Sequence, residues 1–100
     1  MERTQLDLTD EALRRLIEQP SYAAQLLTIA ARLLQMDASA AMDDATLRRA
    51  MNIAIDAVLA NLPEAVRETA LERAESHLPD LAGVTRGEAA LRLRAAAEVL

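Results

Sequence analysis

Five residues carry nearly all the punctuation in this chain: Pro20, Pro63, Pro79, Gly83 and Gly87. Proline lacks the N–H that a helix interior needs, and glycine loses more backbone freedom on folding than any other residue. The long stretches between these breaks are rich in Ala, Leu, Arg and Glu, which lose little side-chain freedom in a helix. Residues that favour strands are scarce, with one Tyr and no Phe or Trp. The expected fold is therefore all-α, a compact bundle of four to five short helices, read as a single helical domain over 1–100.

Local signals place the helices. Thr9 is a good N-cap, Asp10 and Glu11 suit the positive end of a helix, and Leu8 and Leu13 sit at the two positions of a hydrophobic staple. Leu13, Leu16 and Ile17 then form one apolar stripe before Pro20. The next helix, 21–36, is apolar around most of its circumference, with only Gln25, Thr28, Arg32 and Gln35 drawing a polar stripe. That pattern belongs in the middle of a bundle, and the following helix is expected beside it. This third helix is capped by Asp43 or Asp44 and reaches about Leu62. Leu47, Met51, Ala54, Val58 and Leu62 make its expected core face, with Ile55 and Leu59 on a shoulder. Pro63 fits the first turn of a fourth helix that ends near Leu78. After a connector with a turn at Gly83, Thr85-Arg86-Gly87-Glu88 has the form of a capping box and opens a last helix to Leu100.

Composition bounds the function classes. Without Phe or Trp the core has little area per residue, which argues modestly for self-association. Absent cysteine removes disulfides and thiolate metal sites. The polar start Met1-Glu2-Arg3-Thr4-Gln5 is unlike a secretory signal. No apolar run approaches the ~20 residues of a membrane span. A cytoplasmic protein with no membrane partner is expected. All 11 basic residues are arginine, a usage typical of GC-rich bacterial genes. The net charge of −5 makes nucleic acid a poor partner, since binding it needs a basic footprint.

Two constellations stand out as candidate partner-binding surfaces. Glu64, Glu68, Glu72 and Glu75 fall on one helical ridge, where like charges at i,i+4 cost a few tenths of a kcal/mol each. They form either a dock for an arginine-rich partner surface or an ordinary solvated face with Arg67 and Arg73 nearby. The last helix is apolar on two sides. Ala89, Ala90, Leu93, Ala96, Ala97 and Leu100 make one face, while Leu91, Ala95 and Val99 make a second ridge well round the helix. One face can cover the core. The other is a dimer or partner seam, unless the helix is sandwiched or these are scattered surface apolars.

Other residues read more plainly. His77 lacks the companions of a zinc site, and Ala74 breaks the Glu-x-x-His spacing of a di-iron bundle, so a helix-end role is expected. Asp37-Ala38-Ser39 superficially resembles the attachment site of acyl carrier proteins, but an alanine separates the Asp from the Ser and Ala40 follows. Tyr22 is expected to lay its ring on the core edge. No phosphate loop, nucleophile set, metal or cofactor motif is present. A non-enzymatic protein–protein interaction module follows as the expectation: a small adaptor, assembly factor or chaperone-like subunit that forms a homo-oligomer or binds another protein. The alternatives are a nucleic-acid-binding transcriptional regulator using Arg48/Arg49 or Arg92/Arg94, and a helical bundle that binds a small molecule.

Overall fold

The structure, a computed structural model, describes Arg15 and residues 20–100; apart from Arg15, the helix expected after Thr9 lies outside them. Four helices follow in order: α1 (Pro20–Gln35), α2 (Asp44–Leu59), α3 (Glu64–Glu75) and α4 (Arg86–Glu98). Among the described residues all regular structure is helical, apart from one isolated antiparallel bridge between Ala41 and Thr85. No described helix is long and apolar enough to cross a membrane.

The helix ends follow the punctuation with small shifts. Asp43 caps α2, its carboxylate accepting from the Thr46 N–H at 2.6 Å. The helix stops at Leu59 rather than Leu62. Pro63 pushes the residue before it out of the α region, and Leu62 N–H closes a tight turn on Leu59 O at 3.1 Å instead. Pro63 itself is the N-cap of α3, with extended ψ 149°, one residue outside the turn expected of it. Pro79 shortens α3 in the same way. The chain tightens through His77 N–H to Ala74 O and Leu78 N–H to Glu75 O, both 3.1 Å. Gly83 takes φ 73°, the left-handed conformation that its turn requires.

Packing is organised around α1, the one helix that touches each of the other three. Its Leu26, Leu27, Ala30 and Ala31 are fully enclosed, as its nearly continuous apolar surface implies. The expected central place for α2 is not found: among the described helices α2 packs on α1 and α3, and α4 packs on α1, meeting α2 through the Arg86 side chain at Thr46. The buried arc of α2 is correspondingly displaced. Ala50, Met51, Ala54, Ile55 and Leu59 are buried, while Leu47, Val58 and Leu62 lie half-buried at its margin. A helix lying in the corner between two neighbours turns its centre toward both, and here that arc mixes Ala50 and Ala54 with Met51, Ile55 and Leu59.

Nine of the 18 buried core residues are alanine, and no polar side chain is buried among the described residues. Small side chains let helix axes approach toward the short end of the usual ~8–10 Å spacing. Such a core relies on backbone proximity more than on large side chains, and Tyr22 only lies half-buried against its edge.

Candidate functional site

The register of α4 is set at its first turn. Thr85 Oγ1 accepts the Glu88 N–H at 3.2 Å, one arm of the capping box. The Arg86 and Gly87 N–H groups are then satisfied by Ala40 O and Ala38 O, each at 2.8 Å. Met42 N–H adds a bond to Val84 O at 3.1 Å. The Arg86 guanidinium fastens the same corner, reaching Asp37 at 3.5 Å and Thr46 Oγ1 at 3.4 Å. Gly87 permits this approach: a Cβ there would lie 2.9 Å from Ala38 Cβ and 3.1 Å from its carbonyl oxygen.

Held in that register, α4 buries Ala89, Ala90 and Leu93 against α1, with Ala96, Ala97 and Leu100 half-buried beside them. The opposite ridge faces water. Leu91 is 63% exposed and Val99 85% exposed, with exposed Ala95 one turn from each. Charged residues border the ridge. Arg92 Nη1 donates to Asp80 O and Arg94 Nη2 to Gln35 Oε1, both at 2.7 Å, while Glu88 and Glu98 are exposed.

The glutamates of α3 occupy a different surface. All four are exposed, and Glu64, Glu68 and Glu75 line the outer seam between α2 and α3, whereas Glu72 does not. Three adjoining hollows of about 310, 150 and 430 Å³ run along this seam. The first two share Asp44, Leu47 and Leu78, and the last two share Leu71, so together they form one groove. Its leucines are half-buried: they pack on the core yet keep a side open to solvent. Asp43, Asp44 and Asp80 join the glutamates at one end. Arg67 pairs with Asp56 across the seam, and because both side chains are partly exposed the pair contributes little stability.

Sequence reasoning found the acidic ridge but not the groove. Asp43 and Asp44 are distant in sequence from the glutamates, and the antiparallel α2–α3 pairing brings them together; Asp80 follows Glu75 by five residues, past the break at Pro79. One available signal was the run of leucines at 71 and 78, placed beside the glutamates at helical spacing. The Asp43 carboxyl is held below its usual value of 3.8, chiefly by the Thr46 N–H that it caps, aided by the Thr46 hydroxyl and by Arg86 and Arg49.

The remaining candidates stay apart. His77 is exposed just past α3, and Ser39 is exposed in the turn after α1. Arg48 lines the groove, while Arg49 lies over a separate hollow with Leu33, Ile53 and Arg86. Among the described residues no group of three or more His, Cys, Asp or Glu is arranged to hold a metal ion. Comparison of the chain with protein families, curated proteins and solved structures gave no match.

Proposed function

We propose that this chain is a non-catalytic protein-interaction module, an adaptor or assembly subunit that self-associates through α4. The observation that carries the reading is the exposure of Leu91 and Val99, at 63% and 85%, on one ridge of a helix whose other face is already buried. An apolar strip inside a charged border is the usual layout of a helix-mediated contact.

A two-fold axis is the commonest way for one surface to meet itself. In an antiparallel pair centred on Ala95, Leu91 of one copy meets Val99 of the other. The small central residue lets the helices approach closely. At ~100° per residue, Arg94 and Glu98 fall on the same flank, so that border of the strip carries both signs of charge. The strip is short against the ~800 Å² that a stable partner buries per side, so the pairing is expected to be reversible. The regulator and small-molecule readings draw less support. Arg92 and Arg94 are turned onto the protein's own oxygens, and the seam hollows are open and rimmed by charge.

Sedimentation of the wild-type chain up to millimolar concentration tests the proposal. A concentration-dependent rise in mass is expected, and Leu91→Glu should abolish it while leaving the circular dichroism unchanged. A wild type that stays monomeric, or a Leu91→Glu variant that associates like wild type, would overturn it.

A further inference from the structure

We infer that the α2–α3 groove is a docking site for a cationic amphipathic helix from another protein. The inference rests on the interaction-module reading but not on the α4 seam, because no groove residue belongs to α4.

The shape argument comes first. The seam runs from Asp44 to Asp56 on α2, about 18 Å at 1.5 Å per residue, which matches roughly three turns of a bound helix. Leu47, Leu78 and Leu71 follow one another along it, each half-buried and packed against the core. An amphipathic helix lays its apolar positions i, i+3, i+4 and i+7 into a floor of this kind.

Charge then selects the occupant. Seven carboxylates and two guanidiniums line the groove, and one guanidinium, that of Arg67, is already paired with Asp56. Asp44 and Asp80 stand at one end, Glu75 midway, and Glu64 and Glu68 at the other. Acidic side chains on both walls repel one another across the seam, and a cationic ligand relieves that repulsion while its apolar face covers the leucines. The same sign disfavours the other occupants. A second copy of the chain carries net charge −5, and residues 1–19 hold five acids against three arginines. Nucleic acid and anionic lipid are repelled outright.

The experiment uses the full chain and a synthetic helix about four turns long, with leucines along one face and arginines on its flanks. Two control peptides separate the contributions, one with glutamate for arginine and one of identical composition with the leucines scattered. Fluorescence anisotropy at low salt should show the amphipathic arginine peptide binding at least about tenfold tighter than either control, with affinity falling as salt rises. Methyl resonances of Leu47, Leu71 and Leu78 should shift on binding, and those of Leu91 and Val99 should not. The triple variant Glu64→Lys, Glu68→Lys, Glu75→Lys should lose about tenfold or more in affinity. These residues are exposed, so its circular dichroism and melting should stay near wild type, and Leu91→Glu should bind as wild type does. Equal binding of the scattered peptide would reduce the effect to general charge attraction and overturn the inference. So would unaltered affinity in the triple variant, or groove shifts without peptide that vanish on dilution or on removal of residues 1–19.

Discussion

Replacing Gly87 by alanine sets two effects of opposite sign against each other. In an unconstrained helix the change stabilises by up to ~1 kcal/mol, because glycine loses more backbone freedom on folding. Here the new Cβ lies 2.9 Å from Ala38 Cβ, closer than such carbons approach, and 3.1 Å from Ala38 O, which is tight enough to require a shift of a few tenths of an ångström. Neither neighbour is the tip of a flexible side chain, so the 38–42 segment has to move. That segment holds the first turn of α4 through the bonds from Gly87, Arg86 and Met42 N–H, at 2.8, 2.8 and 3.1 Å. Overpacking of this type costs ~1–3 kcal/mol, and weakening the bonds, each worth ~1 kcal/mol net, adds to it. The expected balance is a loss of about 1–2 kcal/mol, or a melting temperature lower by very roughly 4–16 °C in a domain of this size.

Urea denaturation followed by far-UV circular dichroism measures the effect, with an unchanged slope showing that the unfolded state is not the cause. Adding Ala38→Gly to Gly87→Ala should restore part of the loss, since it removes the Cβ contact and leaves the carbonyl contact. A Gly87→Ala variant as stable as wild type or more so would refute the close approach, and with it the register of α4.

The remaining predictions concern the core and the α2 cap. Leu93 is fully buried, and Leu93→Ala should cost about 2–5 kcal/mol in the same denaturation assay. Leu91→Glu should cost far less, and a larger loss at Leu91 than at Leu93 would mean that the two faces of α4 are exchanged. The lowered Asp43 carboxyl stabilises the folded state above its unfolded value, near 3.8. That contribution is lost as pH falls from there through the lower folded value. Asp43→Asn keeps a capping acceptor and cannot titrate, so its urea midpoint should fall less steeply than wild type below about pH 4.

What was legible in the sequence was what depends on neighbours along the chain. The caps at Asp43 and Thr85, the turn at Gly83 and the enclosed α1 follow from residues within a turn or two of one another. So does the division of α4, since Leu91 and Leu93 point to different sides whatever lies beyond. Helix ends were misplaced where a proline acts on the residue before it, at Leu62 and Leu78. The roll of α2 was misjudged because alanines carry little hydrophobic signal: Ala54 falls on the expected core face but Ala50 does not, and Ala50 is buried while Leu47, Val58 and Leu62 lie at the margin. The groove was illegible for a related reason. It is a property of two helices packed antiparallel, and neither Leu47 nor Leu71 announces alone that the core covers only one of its sides.

The ridge and the groove differ in what they ask of a partner, and the fold keeps them on different helices. Leu91, Ala95 and Val99 lie on the side of α4 away from its packing on α1, and none of them lines the α2–α3 seam. The hydrogen bond from Arg92 Nη1 to Asp80 O ties the ridge border to the connector at one end of the groove, and no residue lines both surfaces. A dimer joined at α4 therefore presents two free grooves in fixed relation. A ligand carrying two cationic helices gains effective concentration for its second contact only if its linker spans them. With no Phe or Trp to anchor an interface, each contact relies on leucine area and charge. In the proposed dimer, individually weak, salt-sensitive contacts would gain most from being doubled, so Leu91→Glu should lower the avidity of a two-helix ligand while leaving its single-helix affinity unchanged.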